Sequence, residues 1–310
     1  MVLILSAALC FSSLDNSVRQ AGRLLPVLLI LWLRYLMQAL LMGAWLLRSV
    51  RGRPGGAPDW RRFRSAHPRF QLVRGALLLA TSGFSFVAVQ HMPVAEFTAI
   101  NMLAPVLVTL LAAWLLGEQV SPLRWVLVVG AFIGALIVMR PGSGLFGWAV
   151  LLPLGGAVTY ASFQVLTSKL SAIEDPITTH FYTGLIGSVL LTALVAVNQA
   201  SGALHAGHDL AAIGAGLWAL LVLIGVLGTV GHLLLILALG CAPASRLVPF
   251  MYAQIAGAAA IGWLMFGDLP DAYGWLGMAV IALCGAATTW LNVRSSATRA
   301  APLAADPAAE

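Results

Sequence analysis

Residues 115–125 read LLGEQVSPLRW and residues 265–275 read MFGDLPDAYGW. Laid over each other at an offset of 150, they match Gly117 to Gly267, Glu118 to Asp268 and Trp125 to Trp275. The same offset carries Arg19 onto Lys169, Pro26 onto Pro176 and Pro93 onto Pro243, with no gap between anchors. A register held over that distance reads as an internal duplication. The chain is one unit written twice.

Composition says what kind of unit. Of 310 residues, 60% are apolar and 9% charged, against roughly 45–50% and about 25% in soluble domains. So few charges cannot keep a chain this apolar in water, which excludes soluble enzymes, nucleic-acid-binding domains and disordered scaffolds. Apolar segments long enough to span a bilayer fall near 2–18, 24–47, 71–90, 94–116, 122–140, 145–168, 176–198, 213–239, 244–266 and 272–293. The opening MVLILSAALCF has no basic region and runs into SSLDNS, so it reads as a first, short span rather than a cleaved leader. The expected fold is therefore an all-α integral membrane protein of ten transmembrane helices. Residues 1–140 form the first repeat, 141–294 the second, and 295–310 an Ala/Pro-rich disordered tail.

Five spans per repeat is an odd number, so the second copy enters the membrane upside down. Inverted repeats are a hallmark of secondary transporters, with the substrate held near the midplane between the copies. The basic residues set the orientation. Eight arginines lie at or beside the connection between spans two and three, from Arg48 to Arg74. Arg124, Lys169, Arg246, Arg294 and Arg299 share their side, leaving Arg19, Arg23 and Arg140 opposite. Both termini are expected in the cytoplasm. The arginine-rich connection reads as a topological anchor at the lipid surface, with no nucleic acid implied.

The segments HMPVAEFTAINMLAPVLVTLLAAWLLGEQVSPLRW (91–125), CAPASRLVPFMYAQIAGAAAIGWLMFGDLPDAYGW (241–275) and LWLRYLMQALL (31–41) resemble the EamA branch of the drug/metabolite transporter superfamily, over essentially the whole chain. The resemblance implies ten helices in two repeats and transport without catalysis. It leaves the substrate open among amino acids, S-adenosylmethionine, riboflavin, nucleotide sugars and drugs. It also implies that spans four and nine face the central cavity, which singles out Tyr252 and Gln254.

A charge in a span costs about 2.5–3.5 kcal/mol at a helix centre, so each is a candidate. Arg34 in span two needs a partner, and Asp15 and Glu96 are expected to cluster with it. The alternative is an Arg34 that only ties helices together. Glu118 and Asp268 are expected to cap the helices that follow them. Gln38, Asn101, Tyr160, Gln164, Tyr252 and Gln254 are candidate substrate contacts, or interhelical bonds worth about 0.6 kcal/mol each. Glu96, Asp15 and His180 are candidate proton-coupling groups, His180 and His232 reading as isolated histidines. Phe84, Phe86 and Trp263 could stack on a planar ligand. Neither the histidines nor the three cysteines have metal-site spacing, and neither metal nor cofactor is expected. Residues 142–147 fit GxGxxG but follow no strand, so they read as a hairpin. Gly130 and Gly134 predict close helix contact, within the protomer or across a homodimer.

The sequence therefore points to a secondary carrier of a small organic metabolite in a bacterial inner membrane, driven by protons or exchange, since no GxxxxGK[ST] is present. Amino-acid or metabolite export is the first expectation, and import of a cofactor such as riboflavin or S-adenosylmethionine the second. A lipid-modifying membrane enzyme is the alternative class. The eleven acids are too scattered to support it.

Overall fold

Within hydrocarbon a backbone amide has no water to bond, so each apolar run must satisfy its own amides, as a helix. The computed structural model describes residues 2–51, 60–116, 122–140, 146–170, 174–200, 214–241 and 250–300, and among them it contains helices and no strand. The helices are α1 (Val2–Ala21), α2 (Val27–Arg51), α3 (Pro68–His91), α4 (Val94–Asn101), α5 (Ala104–Leu116), α6 (Pro122–Met139), α7 (Leu151–Leu170), α8 (Pro176–Ala200), α9 (Ala215–Cys241), α10 (Ala253–Phe266) and α11 (Ala272–Ala300). Short 3-10 turns at Trp60–Phe63 and Gly147–Val150 precede α3 and α7. Among the described residues, six helices are long and apolar enough to cross a membrane: α1, α2, α3, α7 with its preceding turn, α8 and α9.

The burial pattern is reversed relative to a water-soluble protein. Trp263 and Leu264 face outward, while Arg34, Gln38, Gln71 and Arg74 are buried. This is the arrangement a lipid-solvated bundle requires, with its polar groups turned in.

Helix pairing follows the duplication. Two of the main contacts, α2 with α8 and α6 with α11, each set a helix against its own equivalent. Others come in exchanged pairs: α1 on α9 and α7 on α3, then α1 on α10 and α7 on α5. Small residues allow the closest approaches. A Cβ at Gly277 of α11 would lie 2.6 Å from the Gly134 carbonyl of α6, and one at Gly130 would lie 2.8 Å from Cys284 Sγ. These glycines therefore seat α6 on α11 within one protomer.

The structure departs from the sequence reading in three places. The fourth apolar run is two helices, α4 and α5, broken after Asn101. Pro105 has no N–H to give Asn101, and its ring would strike that carbonyl in a continuous helix. In the second half the helical path is interrupted at Tyr252, 150 residues after Met102. Last, α11 continues through Ala300, so the segment from Ser295 starts as helix. Ala and Arg favour helix there. Gly142 to Leu145 of the GxGxxG match, with Glu118 and Arg246, lie outside the described residues.

Seating α6 on α11 generates a prediction. Gly277→Val should lower the stability of the detergent-purified protein by about 1–3 kcal/mol through overpacking, read as a fall in Tm. Gly83→Ala, where a Cβ meets nothing within 4 Å, should change it little.

Candidate functional site

A guanidinium inside an apolar bundle must find partners, and those of Arg34 define the site. Arg34 lies two turns into α2 and is 1% exposed. Its Nη1 donates to Ser82 Oγ of α3 at 3.3 Å, and its Nη2 lies 3.5 Å from His232 Nδ1 of α9. Its plane stands 4.6 Å over the Tyr35 ring and 5.9 Å from the Phe86 ring, distances at which ring quadrupoles attract a cation. The Tyr35 hydroxyl and Ser82 Oγ are 2.9 Å apart. Gly228 makes the room, since a Cβ there would fall 2.5 Å from Arg34 Nε. Ser82 and His232 are exactly one repeat apart, so equivalent positions of the two halves converge on one cation.

Arg34 borders a cavity of about 60 Å³, walled by Phe11 and Phe86 and carrying the polar groups of Asp15, Ser85, Asn101, Tyr160 and Gln254. Asp15 lies beside both Arg34 and the Gln254 amide. The cavity holds about two waters, whereas pockets for organic ligands run to about 300–1,000 Å³. A larger solute therefore requires the helices to separate. Both helix interruptions lie at this level. Asn101 and Met102 line the cavity at the α4–α5 break, and the Tyr252 hydroxyl donates to the Met102 carbonyl at 3.4 Å. Broken helices at corresponding positions of two repeats are the strongest pointer to a transporter's substrate site.

Of the residues singled out in the sequence, Asp15, Arg34, Asn101, Tyr160 and Gln254 come together at this cavity. Glu96 does not join them. It sits in the first turn of α4, with Asp268, Asp271 and Arg140 as its charged neighbours. The expected cluster of Asp15, Arg34 and Glu96 is thus two residues, because Glu96 lies roughly 7.5 Å along the helix axis from Asn101. Gln38 and His180 sit outside the lining. Gln38 Nε2 donates to the His180 carbonyl at 3.1 Å and reaches its Nδ1 at 3.4 Å, while His180 Nε2 is 3.2 Å from the Thr229 carbonyl. His180 therefore carries its proton on Nε2. Its ring stacks 6.3 Å from that of His232, so neither histidine is isolated. Gln164 is half-buried and Tyr252 is engaged at the break, both off the lining. Phe86 belongs to the site, Phe84 packs against Gly155, and Trp263 is 53% exposed.

Sequence reasoning missed Ser82, Ser85 and His232 as cavity residues. The hydroxyls carry no charge to flag them. Their signal was the i, i+3 spacing with Thr81 next to Ser82. Arg74, counted with the arginine-rich connection, is instead inside α3 and 0% exposed. Its Nε donates to Thr167 Oγ1 at 2.7 Å and its Nη1 to Thr183 Oγ1 at 2.6 Å, joining α3, α7 and α8.

Polar contacts close both ends of the bundle. At one, Arg19 pairs with Asp268, and Arg140 Nη2 with Asp271 Oδ1 at 2.6 Å. Asp268 was expected to cap α11, but Asp271 performs that task by accepting from the Gly274 N–H at 2.8 Å. That bond and Arg140 hold the Asp271 carboxyl below its ordinary range. At the other end, Glu174 accepts from Ser65 Oγ at 2.6 Å, from the His67 N–H at 3.0 Å and from Gln71 Nε2 at 3.0 Å. Burial would raise its pKa, but these bonds and the nearby His67 outweigh burial and hold it below 4.5.

Comparison with known proteins follows the same line. The profile of the EamA-like transporter family matches residues 1–140 and 147–291. The chain is 32% identical to a riboflavin transporter of Rhizobium johnstonii over 70% of this chain and 69% of that one. It is 25% identical to an S-adenosylmethionine uptake transporter of Rickettsia felis over 67% of each. It is 26% identical to a pseudopaline exporter of Pseudomonas aeruginosa over 88% and 89%. A solved crystal structure superposes with a TM-score of 0.66, covering 94% of this chain and 98% of the other at 18% identity, which speaks to the fold alone.

Glu174 gives a pH prediction. A carboxyl whose folded pKa is lowered adds stability that is fully present above its unfolded value, near 4.5, and lost as pH falls through the lowered value. The Tm gap between wild type and Glu174→Gln should be largest at neutral pH and shrink below about pH 4.5. A gap constant from pH 7 to 3 would contradict it.

Proposed function

The chain belongs to the EamA-like transporter family, and from that premise we propose that it is a secondary carrier of a flavin-type metabolite, working by alternating access between two inverted five-helix repeats. It spans the membrane ten times, α4–α5 together making one span and α10 with the run before it another, with both termini in the cytoplasm of a bacterial inner membrane. The observation that carries this reading is the cavity between the halves, where Ser82 and His232 meet one buried Arg34.

The chemistry of the lining supports the solute class. Phe11, Phe86 and Tyr160 offer ring faces, and Arg34, Asn101 and Gln254 offer hydrogen bonds to a polar edge. A flat heteroaromatic with carbonyls and N–H groups on its rim uses both. The relatives at 30–32% identity are riboflavin transporters, which favours this solute over the amino-acid exporter expected first. Asp15, beside Arg34, is the carboxylate we assign to proton coupling, ahead of Glu96 and His180. No catalytic step is involved.

Metabolite export is the second reading, favoured by the pseudopaline exporter, the relative aligned over 88% of the chain.

Reconstituted proteoliposomes test both. Labelled riboflavin should accumulate in a protein-dependent, competable manner. Arg34→Gln should reduce initial uptake at least tenfold with the protein still folded, because it removes the charge-assisted bonds of the site. Asp15→Asn should abolish the response of uptake to a pH gradient. Uptake of riboflavin no faster than in empty liposomes, with counterflow of an amino-acid-type metabolite instead, would select the export reading.

A further inference from the structure

A guanidinium carries N–H donors and no acceptor, and Arg34 spends few of its donors on the protein. Nη1 donates to Ser82 Oγ, while Nε is buried with no hydrogen-bond partner among the described residues. The approach of Nη2 to His232 Nδ1 at 3.5 Å is not a hydrogen bond. His232 Nδ1 is also 2.9 Å from the Gly228 carbonyl. A carbonyl only accepts, so Nδ1 holds the ring proton. Two donors therefore stand side by side, and Nη2 is left to donate elsewhere.

That tautomer makes His232 Nε2 purely an acceptor. Among the described residues no group bonds Nε2, although His232 lines the cavity. The ring is also fixed in place. Phe11 meets it edge-on at 4.7 Å, His180 stacks on it at 6.3 Å, and Nδ1 is tied to Gly228. Gly231 admits Phe11, since a Cβ there would lie 2.9 Å from Phe11 Cε1.

The other polar groups of the lining have no such fixed sense. The hydroxyls of Ser85 and Tyr160 and the amides of Asn101 and Gln254 both donate and accept. Asp15 changes sense with its proton, and it is already engaged by Gln254. Arg34, which only donates, beside His232, which only accepts, presents a pattern that a solute cannot invert. An imide edge is its complement, with a carbonyl to accept from Nη2 and an adjoining N–H to donate to Nε2. The isoalloxazine ring of a flavin carries that edge at N3–H, between two carbonyls.

We propose that Arg34 and His232 together read the imide edge of the solute, with His232 Nε2 as the specificity-determining acceptor for its N–H. This rests on the flavin reading above and refines it, because it selects flavins whose N3–H is free. Blocking that N–H leaves the acceptor unpaired in a buried site, which weakens binding on the order of tenfold.

The test is uptake of labelled riboflavin by proteoliposomes, competed by unlabelled riboflavin or by 3-methylriboflavin. With wild type, half-inhibition should need about tenfold more 3-methylriboflavin than riboflavin. His232→Phe keeps the ring packing but removes the lone pair, and should bring the two flavins to within about twofold of each other. Should that variant not fold, His232→Leu makes the same removal with a smaller side chain. His232→Gln, which restores an acceptor, should keep most of the preference. The ratio of the two flavins, unlike total uptake, does not respond to a merely structural loss. Equal competition by both flavins in wild type would overturn the proposal while leaving the flavin reading intact. A full preference in the phenylalanine or leucine variant would do the same, as would a glutamine variant indistinguishable from them. Riboflavin uptake no faster than in empty liposomes would instead defeat the reading and the proposal together.

Discussion

An arginine inside hydrocarbon-solvated protein is the constraint from which the centre of this molecule is organised. Arg34 cannot shed its proton, so the bundle surrounds it with a hydroxyl, aromatic rings, an imidazole and a nearby carboxylate. Those groups come from α1, α2, α3 and α9, elements far apart in sequence. Their convergence requires close helix approach, which Gly228 permits by vacating the space that the guanidinium occupies. Lining, cavity and packing at the midpoint of the bundle are in this sense consequences of one charge.

The second organising fact is that the polypeptide is interrupted at the same level in both halves. A continuous helix uses its carbonyls internally. A broken one releases some, and here the hydroxyl at one break, Tyr252, takes the carbonyl at the other, Met102. Tyr252 can lie there only because residue 285 is glycine, any Cβ at that position overlapping the phenol. The breaks thus brace one another while leaving Asn101 and Gln254, immediately beside them, on the cavity.

The duplication, the apolar runs and the need to partner Arg34 were legible in sequence because each rests on a local signal: a fixed offset, a hydropathy run, an isolated charge. What was not legible depends on rotation about helix axes and on small polar residues. Glu96 and Asn101 share α4, yet only Asn101 reaches the cavity, a difference of helical face and depth that no single position announces. Ser82 and Ser85 sit cheaply in a membrane helix, so nothing in composition marks them. Pro105 did announce the α4–α5 break, but its place within a long apolar run masked it. Arg74 shows the converse error, since proximity to a cluster of arginines suggested a surface anchor where the helix turns it inward among threonines.

The ion pairs at one end of the bundle have a further consequence. Arg140 and Asp271 join the two halves, but the positions that duplication assigns to them, 290 and 121, hold Trp and Ser. Those two side chains carry no opposite charges, so the duplication does not repeat this ion pair. Two halves that were still identical would give a carrier with mirror-image resting conformations of equal free energy. Different contacts at the two ends would break that degeneracy, and a difference of about 1.4 kcal/mol populates one of two states tenfold over the other. The divergence of two residues after duplication therefore leaves the two halves joined by an ion pair that the repeat does not reproduce.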